Sequence, residues 1–422
     1  MTDQTNRIQR NGYIFNTIGG MLNAFQSVFI LMVITRKLTM DDAGLFTIAY
    51  SVANLMLNIG KFGMRNYQVT DVSEKYGFLS YLRSRITTTF AMVIISIIYV
   101  AVKMCAESYP MEKVLLIFMM CVLKAVDSVE DIYHGKYQQV GRLDIAGKCL
   151  TLHMIAVIIT FTGSLILGTS LLIATFATIV VSVLATWATI VLSNKSITTK
   201  SGVEAKEKTD NNQLGLINEC LPLFFAAFVS FYQINAPKYA IDSLMTEADQ
   251  ANFGFISMPV FFSSLICQFI YLPALTGMAE KYSLRKIKEF LRLFGRFSLL
   301  INGASIIIIV SAYLSGLPIL SLIYYPAKLE GYKWEFLLLM VGSGFLAYIN
   351  FLISVLTIFR KQKLIIWGYA MTACFEMLIT RPLVEKRGLL GASAVFSSVM
   401  LLLMLYLCIA VFVIARQSKR KN

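Results

Sequence analysis

Charged residues are absent from long stretches of this chain. Cys149–Asn194, Gln250–Ala279, Phe297–Ala327, Phe336–Phe359 and Gly388–Ala415 contain no Asp, Glu, Lys or Arg. A helix needs about 20 apolar residues to cross a ~30 Å hydrocarbon core, so each stretch holds one crossing or two. The pattern predicts twelve spans, at 12–34, 44–63, 86–105, 113–133, 146–167, 171–192, 215–237, 250–274, 297–316, 336–358, 364–380 and 390–415. The fifth and sixth form a hairpin broken at Gly168-Thr169-Ser170. The first span is too long for a cleavable signal peptide and lacks a small-residue cleavage site, so no such peptide is expected.

Between the sixth and seventh spans the polar run "SNKSITTKSGVEAKEKTDNNQ" (193–213) reads as a cytoplasmic linker. It divides the chain into a six-helix lobe at 1–192 and another at 214–422. The halves echo each other. "EKY" occurs at 74–76 and at 280–282, each time after the second span of its half and ahead of a basic segment. "TMDDAGLF" (39–46) follows the first span and "MTEADQANFGF" (245–255) the seventh. After the second "EKY", Leu284, Ile287, Phe290, Leu291 and Phe294 recur at helical spacing between Lys281, Arg285, Lys288, Arg292 and Arg296. That spacing predicts an amphipathic helix on the inner leaflet. A duplicated six-helix unit is a common plan of transporters, with the substrate path between the repeats.

Composition agrees with a membrane protein: 57% of the 422 residues are hydrophobic and 15% charged, where soluble domains carry about 25% charged. The net charge of +14 is unevenly placed. With both termini cytoplasmic, inner segments hold 27 Lys plus Arg and outer loops 10, with Lys124 left over from the total of 38. This is the positive-inside bias, and it accounts for the basicity without a nucleic-acid partner.

Covalent chemistry finds no motif. The Gly-Lys pairs at 60–61, 135–136 and 147–148 are followed by Phe, Tyr and Cys, so no phosphate-cradling loop exists for ATP. The seven cysteines are scattered without a C-x-x-C, and the two histidines stand far from any acid-plus-Cys cluster, so no metal site or cofactor is expected. Any work against a gradient would draw on an ion gradient, of protons or sodium ions, or on a neighbouring enzyme.

One span does carry charge. "KAVDSVED" (124–131) follows ten uncharged residues. Lys124 lies about 16 Å into a helix beginning near Lys113, close to the bilayer centre. Asp127 and Asp131 fall within about 60° of it, while Glu130 points elsewhere and lies near the cytoplasmic interface. A lysine facing lipid at that depth costs at least ~2.5–3.5 kcal/mol, so the stripe is expected to face inward. Two readings stand: a self-neutralising Lys124–Asp127 pair that orients the helix, or a polar lumen with a cation for an anionic substrate and carboxylates for ion coupling. The second is preferred. Asn16, Asn23, Gln26, Asn54, Asn58, Gln233, Asn235 and Asn350 suit a polar lumen, although hydrogen bonding between helices explains any one of them. Glu376 is a lone carboxylate near Arg381 and a candidate ion site. Pro222, Pro259 and Pro273 are candidate bending points in spans seven and eight.

The segments "KFGMRNYQVTDV" (61–72), "DIYHGKYQQVGRLDIAGK" (131–148) and "INAPKYAIDSLMTEADQANFGFISMPVFFSSLICQFIYLPAL" (234–275) resemble bacterial polysaccharide-biosynthesis flippases of the O-antigen and capsule type. Those proteins belong to the multidrug/oligosaccharidyl-lipid/polysaccharide exporter superfamily. The resemblance extends over the chain in span count and loop placement. It implies two six-helix bundles around a central, largely cationic cavity. It also implies translocation of undecaprenyl-pyrophosphate-linked sugar repeat units across the bacterial inner membrane. By motif, it carries over Arg65, Arg142 and Lys238 as cations, with Asp71, Asp144 and Asp242 as accompanying acids. Lys124, Asp127, Asp131 and Glu376 come from the depth argument. Pyrophosphate demands positive charge, and sugars demand amides and aromatic rings.

The expected protein is therefore an all-α, non-enzymatic, alternating-access flippase in contact with membrane lipids. A polymerase and a chain-length regulator are its expected partners. A multidrug exporter of the same superfamily shares the architecture but would want an acidic lumen. A polysaccharide polymerase would need a large periplasmic loop, and a lipid II flippase tends to carry further C-terminal spans.

Overall fold

The computed structural model describes residues 2–71, 75–198 and 212–420, and every element among them is helical. By contacts the chain divides into two compact units, Met1–Phe228 and Val229–Asn422. The division falls inside a helix and not at the expected linker, most of which lies outside the described residues.

The first unit contains α1 (Thr2–Lys37), α2 (Met40–Lys61), the short α3 (Met64–Thr70), α4 (Phe78–Glu107), α5 (Met111–Gln139), α6 (Leu143–Ile166) and α7 (Leu171–Thr198). It also holds the first half of α8 (Gln213–Leu244). Helix α1 lies along α6, and α2 and α4 pack on α5. The α1–α6 approach is close because Gly147 has no side chain: a Cβ there would stand 2.5 Å from the backbone nitrogen of Asn16. The start of α8 is held to this unit by Phe62, whose ring stacks on Phe224 at 4.4 Å, and by Glu219, which takes hydrogen bonds from Tyr67 and Lys75.

The second unit contains the rest of α8, then α9 (Glu247–Ser283), α10 (Ile287–Ser311), a π-helical turn (Ala312–Gly316), α11 (Leu317–Ile323), α12 (Lys333–Ile358) and α13 (Gln362–Arg420). Helix α12 packs on α9, α10 and α13. Non-helical backbone at Gly388 (φ 54°) breaks α13 between the expected eleventh and twelfth spans.

Ten helices among the described residues are long and apolar enough to cross a membrane. Helix α5, the site of the expected fourth span, is long enough at 29 residues but too charged to count among them. Large apolar side chains such as Phe90, Ile159 and Trp187 remain over 60% exposed, the pattern of helices solvated by lipid.

The two echoing loops have one local structure. Thr39 caps α2, accepting from the Asp42 N–H at 3.2 Å while its own N–H donates to the Asp42 carboxylate at 3.0 Å. Thr246 caps α9 through Asp249 in the same reciprocal way, both distances 3.2 Å. The basic segment after the second "EKY" differs from expectation. It is no separate surface helix. Residues 287–296 are the opening turns of α10, with Ile287 and Phe290 buried. Phe290 packs against Tyr282 and Phe359, whose ring centroids lie 4.9 Å apart. Pro222, Pro259 and Pro273 all fall inside helices α8 and α9.

Candidate functional site

In the first unit, α5 supplies a stripe of ionisable side chains at helical spacing, and its neighbours supply the partners. Lys124 is 1% exposed; its ammonium donates to Asp127 at 2.8 Å, reaches Gln26 of α1 at 3.4 Å and lies 5.3 Å from the Tyr50 ring of α2. The self-neutralising pair is thus present, and Lys124 is not a free cation. Asp127 keeps more exposure, at 12%.

Asp131 has three cation partners. Arg85 of α4, fully buried, donates to it at 3.1 Å; Arg65 of α3 lies at 3.3 Å and Lys61 of α2 at 3.6 Å. Arg65 also donates to Gln138 at 3.2 Å. Removing so buried a carboxylate would strand Arg85, so Asp131 is a structural anchor first. Asp71 closes the α3–α4 turn: its carboxylate accepts from the Lys75 N–H at 3.0 Å and from the Tyr81 hydroxyl at 3.0 Å. Arg142, at the start of α6, donates through two nitrogens to Asp144 at 2.9 and 3.0 Å. This fork holds the Arg142 guanidinium above its ordinary pKa.

Glu130 departs from expectation. It is 3% exposed, bonded to Nδ1 of His153 on α6, and stands 3.3 Å from His134 one turn along α5. Nε2 of His153 pairs with the Ser182 hydroxyl of α7 at 2.8 Å and lies 4.0 Å from Asp127. Both histidines therefore join a carboxylate in the fold, a pairing the sequence reading did not foresee. No metal-ligating cluster of His, Cys, Asp and Glu occurs among the described residues. The Glu130–His134 spacing of four residues was visible as a one-face pair; His153 and Ser182, on other helices, left no local signal.

The amides divide. Asn54 and Asn58 are half-buried and bond back within their own helix, donating to the carbonyls of Tyr50 and Asn54 one turn earlier at 2.8 and 2.9 Å. Asn16 sits at the α1–α6 crossing, whereas Asn23 is exposed.

In the second unit, Gln233 on α8 is buried and donates to the Thr372 hydroxyl at 2.8 Å and the Tyr369 carbonyl at 3.3 Å, tying α8 to α13. Asn235 donates to the Phe231 carbonyl at 3.1 Å. Tyr232 and Tyr239 stack at 5.9 Å along α8. Half-buried Lys238 lies between these rings in sequence and, among the described residues, pairs with no carboxylate. Asp242 follows one turn later and is 9% exposed. Glu376 on α13 is fully buried, and neither carboxylate oxygen has a hydrogen-bond partner among the described residues.

No protein-family model matches the chain, and no curated protein matches it in sequence. Solved structures share its fold over nearly its whole length. An inward-facing multidrug resistance MATE family transporter of the MOP superfamily superposes with a TM-score of 0.68 at 11% identity, covering 96% of each chain. The MATE transporter VcmN of Vibrio cholerae, in its bent form, gives 0.60 at 12% identity over 98% of each chain. The lipid II flippase MurJ, in an inward closed conformation, gives 0.61 at 16% identity over 94% of this chain and 87% of its own. The chain is a multi-pass membrane protein with the fold of the MATE and MurJ transporters of the MOP superfamily.

Proposed function

We propose that this protein is a flippase carrying undecaprenyl-pyrophosphate-linked oligosaccharide repeat units across the bacterial inner membrane by alternating access. The product would feed O-antigen, capsule or exopolysaccharide assembly, with a polymerase and a chain-length regulator as working partners. In this reading the chain makes twelve crossings with both termini cytoplasmic: the ten apolar helices, with α5 added and α13 counted as two on either side of Gly388. MurJ, which shares the fold, is by name a flippase of a lipid-linked substrate, and the three motif segments support the same class.

The observation that carries the reading is Lys238. Of the four cations expected to serve an anionic substrate, Lys124, Arg65 and Arg142 already have carboxylate partners. Lys238 has none among the described residues, and the stacked Tyr232 and Tyr239 on the same helix offer ring faces to sugars. The task of meeting a pyrophosphate falls to Lys238 first. Substitution of Lys238 by Ala should abolish surface polysaccharide in a complemented deletion strain while protein level stays unchanged, and Lys238→Arg should retain part of it.

A multidrug exporter is the second reading, and Glu376 is the observation in its favour, because an unpaired buried carboxylate suits an organic cation. Drug susceptibility of the deletion strain separates the two. The flippase reading expects it unchanged.

A further inference from the structure

The buried ion pairs of the first unit differ in one respect. Asp127, Asp131 and Asp144 each have a Lys or Arg partner. Glu130 has only His153 and His134 among the described residues. A carboxylate buried to 3% exposure cannot stay ionised beside neutral groups without a cost of several kcal/mol. The Glu130–His153 pair must therefore hold a proton, and no permanently charged side chain can replace it.

The second ring nitrogen is arranged for that proton to come and go. Nε2 of His153 faces the Ser182 hydroxyl at 2.8 Å. A hydroxyl both donates and accepts. It can accept from a protonated Nε2 and donate to a bare one, so both states of the ring keep their hydrogen bonds. His153 itself is 0% exposed, but Asp127, 4.0 Å from Nε2, keeps 12% exposure.

We propose that the His153–Glu130 pair, reached through Asp127, is a single-proton site that couples transport to the proton gradient. The coupling role rests on the transport reading above; the site itself does not. The groups facing it are few. Helix α5 contributes Lys124, Asp127, Glu130, His134 and Tyr137, with Asp131 one position further and held by its own three cations, and α6 adds the Cys149 thiol. Among its described side chains α7 contributes the uncharged Ser182, and α1 has no charged residue between Arg10 and Arg36. Loss of the proton leaves Glu130 without a charged partner in the buried interior, the kind of change in charge that a two-state transporter can read as a bias between its conformations.

The chain has only two histidines, which makes the test direct. Full-length protein labelled with 13C,15N-histidine in lipid nanodiscs gives two ring signatures by solid-state NMR. His153→Gln and His134→Gln assign them, and Ser182→Ala, which touches the His153 ring and not His134, provides an independent assignment should either variant fail to fold. Between about pH 5 and about pH 10, a range extended above that of a free imidazole because each ~1.4 kcal/mol of pairing holds the proton for about one further pH unit, the His153 ring should pass from the doubly protonated to the neutral form. Glu130→Gln should leave that ring neutral at pH 7. A ring held in one state throughout overturns the proposal, whether neutral, as in a fixed hydrogen bond, or charged, as in a fixed ion pair. In cells, His153→Gln should remove the pH dependence of surface-polysaccharide export. A titrating ring with unaltered pH dependence of export would overturn the coupling role. Absence of export by the wild-type protein would instead sink the transport reading and leave the NMR result standing.

Discussion

The guanidinium of Arg85 donates to Asp131 at 3.1 Å and, through its other terminal nitrogen, to the Gly60 carbonyl at 3.0 Å. Arg85 is wholly buried, so one side chain joins α4, α5 and the end of α2 in the interior of the first unit. Breaking a buried pair from one side costs about 3–5 kcal/mol, because the remaining charge has nowhere to go. Asp131→Asn should therefore lower the melting midpoint of the purified protein sharply, and the double variant Asp131→Asn/Arg85→Met should recover part of the loss. Equal melting of Asp131→Asn and wild type would show that the pair carries no such load.

The α1–α6 crossing makes a second prediction. Gly147 leaves no room for a β-carbon against Asn16, and a Cβ at Gly19 would stand 3.0 Å from Thr151 on the same seam. Small residues let membrane helices approach closely, and larger ones force them apart. Gly147→Leu should reduce folded yield and lower the melting midpoint. Gly163→Leu on the same helix, where a Cβ meets open space, should leave both unchanged. Gel filtration and thermal melts of the two variants provide the comparison.

Glu376 makes a third. A buried polar group without partners costs about 1–3 kcal/mol. Glu376→Leu should raise the melting midpoint, because it removes two oxygens that no donor among the described residues satisfies. A lower midpoint would mean that the carboxylate is held by something in the membrane-bound protein, such as an ion, and would direct attention back to it as an ion site.

The helices were legible in the sequence because lipid removes ambiguity: uncharged runs of 20 or more residues have one structural outcome. The paired loops were legible too, and their echo is the capping box at Thr39 and Thr246. Within α5, helical period alone put Lys124 and Asp127 on one face, and they do meet. It also turned Glu130 away from that face. What period could not show is that α6 and α7 bring His153 and Ser182 to meet Glu130 on its other side. Arg85 escaped notice for the same reason: its partner lies 46 residues away on another helix. Charges in a membrane protein are matched across helices, and that matching is a tertiary fact. The basic segment after Lys281 misled in a different way, since a helix entering the membrane from a basic surface has the same alternation as one lying upon it.

The central claim is that Lys238 meets the pyrophosphate of a lipid-linked sugar. The most direct measurement is transbilayer movement of a fluorescent undecaprenyl-pyrophosphate oligosaccharide in proteoliposomes holding wild type, Lys238→Ala or Lys238→Arg. Wild type should move the lipid, Lys238→Ala should fall to the rate of protein-free vesicles, and Lys238→Arg should lie between them. Movement by Lys238→Ala at the wild-type rate would contradict the account.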